Sequence, residues 1–125
     1  MNTLQNCPRL LLRASLAVLA TLAASMAFAH AKLTSSTPAA DSTINAPKSI
    51  ELHFDEGVEA KMSSVKLTAA DGTAIAAMSM NDAKDPAMLS IMPNSPLKAG
   101  RYTVKWSAVT GDGHKTQGTF SFTVQ

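Results

Sequence analysis

Arg101-Tyr102-Thr103-Val104-Lys105-Trp106-Ser107 puts Tyr102, Val104 and Trp106 on one side of an extended chain and Thr103, Lys105 and Ser107 on the other. Period two is the spacing of a β-strand with one buried face. The same alternation recurs in Ile50-Glu51-Leu52-His53-Phe54, in Val65-Lys66-Leu67, and in Thr119 to Val124, where Phe120, Phe122 and Val124 share a side. Turn signals separate these runs: Thr37-Pro38, Ala46-Pro47, Glu56-Gly57, Asp71-Gly72, Asp85-Pro86, Pro93 to Pro96, Ala99-Gly100 and Gly111 to Gly113. Asp71-Gly72 predicts a hairpin joining a strand near Ser64–Thr68 to one near Thr73–Met80. About seven short strands at this spacing predict an all-β chain folded as a two-sheet sandwich rather than a barrel.

The amino-terminal residues read differently. Arg9 and Arg13 precede an apolar run from Leu16 to Ala24, and Ala27-Phe28-Ala29 supplies small residues for cleavage after Ala29. Residues 1–29 are therefore predicted to be a secretory signal peptide, and residues 30–125 the mature domain. A membrane anchor is disfavoured, because the uncharged run after Arg13 is roughly 16 residues, short of the ~20 a spanning helix needs. Cys7 leaves with the leader, so no disulfide or thiolate metal site is available to the mature chain. Removing residues 1–29 from 125 leaves 96, enough for one domain with a core. Removing two arginines from 11 basic residues leaves nine, against nine acidic ones. A formal charge of zero with scattered lysines gives no footprint for nucleic acid.

Cleavage after Ala29 would make His30 the first residue, and that changes its chemistry. The freed α-amine and the imidazole Nδ1 can close a six-membered chelate ring on one metal ion, an option no internal histidine has. Asp112-Gly113-His114 adds a carboxylate and a second imidazole; if the loop is extended there, both side chains project to one side. Gly-Asp-Gly-His alone reads as a hydrophilic turn, so the conjunction with His30 carries the argument. Three nitrogens and one oxygen suit tetragonal Cu(II). Zinc could use the same atoms, whereas magnesium and calcium want mostly oxygen.

Other candidates have plainer readings. His53 shares the polar face of its strand with Glu51 and is expected to face solvent. Asp55, Glu56 and Glu59 read as a solvated acidic rim. Met78 and Met80 fall on one face of a strand, as do Met88 and Met92; thioethers are soft ligands for Cu(I), but these residues read as core filling, and Met62 is isolated.

Taken together, the mature chain resembles the CopC-type periplasmic copper-resistance proteins. The resemblance rests on His30-Ala31-Lys32-Leu33, Ser36-Thr37-Pro38-Ala39, Ile50 to Phe54, Ser95-Pro96-Leu97-Lys98-Ala99-Gly100-Arg101-Tyr102-Thr103-Val104-Lys105-Trp106, Asp112-Gly113-His114 and Gly118 to Val124. It implies an immunoglobulin-like Greek-key β-sandwich in the periplasm. It also implies one Cu(II) ion held by His30 and His114, with Asp112 as a weaker ligand, and no catalysis. Such a protein would act as a monomer in copper resistance or homeostasis, or hand the ion to an inner-membrane copper transporter. Some members carry a methionine-rich loop with a histidine that holds Cu(I); here that stretch is Leu67-Thr68-Ala69-Ala70-Asp71-Gly72-Thr73, so the chain resembles the branch that binds Cu(II) alone. Two alternatives stand beside this reading: a copper oxidase with an amino-terminal histidine brace, and a metal-free sandwich module for interactions.

Overall fold

The computed structural model describes residues 30–125, so the signal-peptide reading lies outside the described residues. Nine strands follow one another: β1 (Leu33–Thr37), β2 (Thr43–Ile44), β3 (Ile50–Phe54), β4 (Ser64–Ala69), β5 (Ala74–Ile75), β6 (Ala77–Ser79), β7 (Met88–Pro93), β8 (Gly100–Val109) and β9 (Lys115–Val124). They form a four-stranded sheet, β1-β3-β7-β6, and a five-stranded sheet, β2-β9-β8-β4-β5. The all-β sandwich expectation holds, the surplus of two over seven coming from the two-residue β2 and from one expected strand divided into β5 and β6.

The alternating residues do what their spacing predicts. Ile50, Leu52 and Phe54 from β3, Leu89 and Ile91 from β7, Leu67 from β4, Tyr102, Val104 and Trp106 from β8, and Phe122 and Val124 from β9 make one core. Phe122, Ile50, Leu52 and Val104 are the largest side chains sealed from solvent, each stabilising the fold by about 1.5–3 kcal/mol relative to exposure. Trp106 lies edge-on to Phe54 at 5.2 Å between ring centroids, joining the two sheets. Its cross-strand partner is Gly118. A Cβ there would sit 2.7 Å from Trp106 Cζ2, so only glycine leaves room for the indole. At the far end of β8, Tyr102 Oη donates to Lys98 O at 2.7 Å, giving the buried phenol a partner.

Two expectations are corrected. The strand expected over Thr73–Met80 is split: Ala74–Ile75 pairs with β4 in one sheet, and Ala77–Ser79 pairs with β7 in the other. Ile75 and Ala77 both pack against the shared core, so a chain that changes sheets at Ala76 keeps its inward parity and the alternation passes through unbroken. The methionines are not core filling. Met78, Met80 and Met92 are 56%, 47% and 36% exposed, and Met62 is exposed as well, because Ala77 and Ile91 take the inward positions on their strands.

Candidate metal centre

The β8–β9 hairpin runs in unbroken antiparallel register from Gly100↔Val124 to Val109↔Lys115, and residues 110–114 close it at one end of the sandwich. Thr110 N donates to His114 O at 2.9 Å and Gly113 N to Thr110 O at 2.9 Å, a tight turn that needs the positive φ of Gly113 (85°). Asp112 is its hub. Oδ1 accepts from His114 N at 3.1 Å and from the hydroxyl of buried Thr110, and Oδ2 pairs with His114 Nδ1 at 2.7 Å. The Thr110 hydroxyl, then the His114 ring, then the His114 amide hold the carboxyl well below the usual carboxylate range. The loop is not extended between Asp112 and His114, as their spacing alone would require for the two side chains to meet. A side-chain-to-backbone turn brings them together instead. With Nδ1 turned toward the carboxylate, Nε2 is the atom His114 can offer a metal.

His30 reaches the same place through long-range anchors. Ala31 is buried in the core, and its carbonyl accepts from Thr116 Oγ1 at 2.8 Å, two residues past His114. Lys32 N donates to Asp55 Oδ1 at 2.7 Å while Asp55 N donates to Lys32 O at 3.0 Å. Leu33 then pairs with Phe54. These bonds fix the residues just after His30, whose ring stands 5.1 Å from that of His114, tilted 51°. With metal–nitrogen bonds of roughly 2.0–2.1 Å, two imidazoles on adjacent corners of one ion have centroids about 4.5 Å apart, so a small rotation suffices. Asp112 and His114 are about half exposed, so an ion can enter from solvent.

All three residues singled out for metal ligation are thus neighbours. Among the described residues, no three His, Cys, Asp or Glu side chains close into a ready-made cage; the donors stand as two linked pairs, His30 beside His114 and His114 beside Asp112. His53 is elsewhere, on the outer face of β3, 3.6 Å from Glu51. Both are partly exposed, as expected. The acidic rim is more than solvated charge at one position, since the Asp55 carboxylate fastens Lys32 N. Sequence reasoning missed Asp55, Thr110 and Thr116 as supports. The Thr110-x-Asp112 spacing was the only local hint, and the other two act across the fold.

The domain is an all-β sandwich with two histidines and a carboxylate gathered at one end. The CopC domain family matches residues 33–125, and the chain belongs to it. Copper resistance protein C of Pseudomonas syringae pv. tomato is 43% identical over 110 residues, covering 83% of this chain and 87% of that protein. Copper resistance protein C of Escherichia coli is 39% identical over 109 residues, covering 79% and 84%. Among solved structures, PcoC, a methionine-rich copper resistance protein from Escherichia coli, superposes with a TM-score of 0.72 at 41% identity, over 78% of this chain and 100% of that one. CopC from Methylosinus trichosporium OB3b gives 0.72 at 31% identity, over 77% and 94%.

Proposed function

We propose that the chain is exported by cleavage after Ala29 and binds one Cu(II) ion in the periplasm, for copper resistance or for hand-over to a membrane transporter. The α-amine and Nδ1 of His30 and Nε2 of His114 supply three nitrogens, and Asp112 is the weaker oxygen ligand, reaching the ion only by giving up its bond to His114 Nδ1. The observation that carries this reading is the 5.1 Å approach of two imidazoles that lie 84 positions apart in the chain. Kinship with copper resistance proteins supplies the identity of the metal. A protein that stores or passes an ion needs donors near solvent on a rigid frame, and the half-exposed turn on the β8–β9 hairpin fits that demand.

The monomer is the working unit, with no catalytic step. Phe54, Tyr102, Trp106 and Phe122 are committed to the core, which favours a carrier over an oxidase that docks a polysaccharide on exposed aromatic rings. The test is a thermal melt of the protein starting at His30, with and without Cu(II). Binding to the folded state alone stabilises it by about 4.1 kcal/mol at a free concentration a thousand times Kd. A clear upward shift that disappears in His114→Ala is expected, and a melt unmoved by Cu(II) would overturn the reading.

A further inference from the structure

The fold gathers charges that the sequence scatters. Lys66 lies on β4, Arg101 and Lys105 on β8 and Lys115 on β9, and none of these three strands carries an aspartate or a glutamate. The alternation that buries Leu67, Tyr102, Val104 and Phe122 turns all four basic residues outward, and each is exposed. The remaining outward positions over Ser64–Thr68, Arg101–Ser107 and Lys115–Thr123 hold only serine, threonine and glutamine. One face of the five-stranded sheet is therefore flat, hydroxyl-rich and positive. Lys66 stands directly opposite Lys105 in the ladder. Side chains so placed have Cβ atoms about 4.5–5.5 Å apart, and like charges there are destabilising. Among the described residues, neither ammonium has an ion-pair partner, nor does that of Lys115; Arg101 pairs with Asp41 at 3.4 Å in an exposed, weakly held contact. Lys105 is four residues past Arg101, and Lys115, paired with Val109, is four positions further on. The row of charge is thus about 27 Å long at ~3.4 Å per residue.

We propose that this outer face of β4, β8 and β9 docks on a bilayer surface carrying anionic phosphodiester headgroups. Charge complementarity selects the occupant. Cations spread over a flat face suit recognition by charge alone, whereas a protein interface is centred on buried aromatic or aliphatic anchors, and these strands turn theirs inward. Each basic residue held near an anionic lipid surface gives about a fivefold gain in partitioning, so the three lysines without a partner give roughly a hundredfold. A headgroup phosphate shared by Lys66 and Lys105 relieves the repulsion between them. The choice of lipid among phosphodiesters rests on the export proposed above. Lys115 follows His114 in the chain, so a molecule lying on this face holds its metal turn at headgroup level, where a membrane transporter would meet it.

The test uses metal-free protein beginning at His30 and co-sedimentation with vesicles of phosphatidylcholine alone or of phosphatidylcholine and phosphatidylglycerol in equal parts. Binding confined to the anionic vesicles and lost at high salt is expected. Lys66→Glu places a carboxylate opposite Lys105, so its Tm is expected to hold or rise while its vesicle affinity falls at least tenfold. Equal binding to neutral vesicles, or wild-type affinity in Lys66→Glu, would overturn the proposal. Capture of polyglutamate in place of vesicles would also overturn it, and would assign the face to an acidic protein. Cu(II) titration of Lys66→Glu without vesicles is expected to match the wild type, so failure of this face is distinguishable from failure of the His30 turn.

Discussion

Ala69-Ala70-Asp71-Gly72-Thr73 and Thr110-Gly111-Asp112-Gly113-His114 are the same turn built twice, at opposite ends of the sandwich. In each the first N–H donates to the fifth carbonyl at 2.9 Å, and the glycine N–H donates to the first carbonyl at 3.0 and 2.9 Å respectively. Each glycine has a positive φ, 88° and 85°. Each aspartate Oδ1 accepts from the backbone N–H two residues on, at 2.9 and 3.1 Å. Both carboxyls are held below their ordinary value, Asp71 through Thr73 and Asp112 chiefly through Thr110. The difference lies in three additions at the second turn: an imidazole in the fifth position, a buried hydroxyl in the first, and the His30 segment brought alongside. Turn chemistry supplies an oriented carboxylate cheaply and locally. Only tertiary structure supplies the second imidazole.

The largest expected effect breaks this comparison directly. His114→Ala should abolish Cu(II)-dependent stabilisation, and adding Thr73→His to that variant should not restore it, because no His30 stands beside the first turn. Recovery of the Cu(II) shift in the double variant would mean that an Asp-Gly-His turn suffices. Next in size is the frame that presents the second turn. Gly118→Ala drives a methyl into Trp106; overpacking of this kind costs about 1–3 kcal/mol, or a Tm drop of about 4–8 °C for each kcal/mol in a domain of this size. A chemical or thermal melt of the metal-free protein reads it.

Smaller effects sharpen the contrast. Thr116→Val removes the bond to Ala31 O and Asp55→Asn weakens the clamp on Lys32. A hydrogen bond of this kind is worth about 1 kcal/mol, so each should weaken Cu(II) binding roughly fivefold in a competition titration, with Thr116→Ser restoring it. The smallest concerns pH. Asp112 titrates lower folded than unfolded, so its contribution is present above the ordinary carboxylate range and fades as pH falls toward the folded value. Thr110→Val removes the main cause, raises the folded value and narrows that gap. Urea midpoints of the metal-free variant should therefore fall most at neutral pH and converge with wild type in acid.

The core was legible because β3, β8 and β9 each bury every second residue against a single interior, and alternation reports that parity directly. It could not report the change of sheet at Ala76, where parity is preserved. Nor could it orient Met78 and Met80, since a short edge strand whose inward position holds Ala77 defeats the assumption that the larger apolar residue points in. At the site, Asp112 and His114 were readable from their spacing, whereas their meeting with His30 depends on β1 pairing beside β3 and on Thr116 and Asp55 fastening the strand entry. Those are contacts between positions 23 and 85 residues apart. No local pattern encodes them.

The most direct measurement is a Cu(II) titration, followed by electron paramagnetic resonance, of protein beginning at His30 and of the same protein carrying one additional residue before it. The extension keeps both imidazoles and Asp112 and removes only the α-amine from the chelate ring. A marked loss of affinity, with nitrogen hyperfine structure reduced, is the predicted result. Identical affinity and spectra in the two proteins would contradict the central claim that the exposed amino terminus is a ligand.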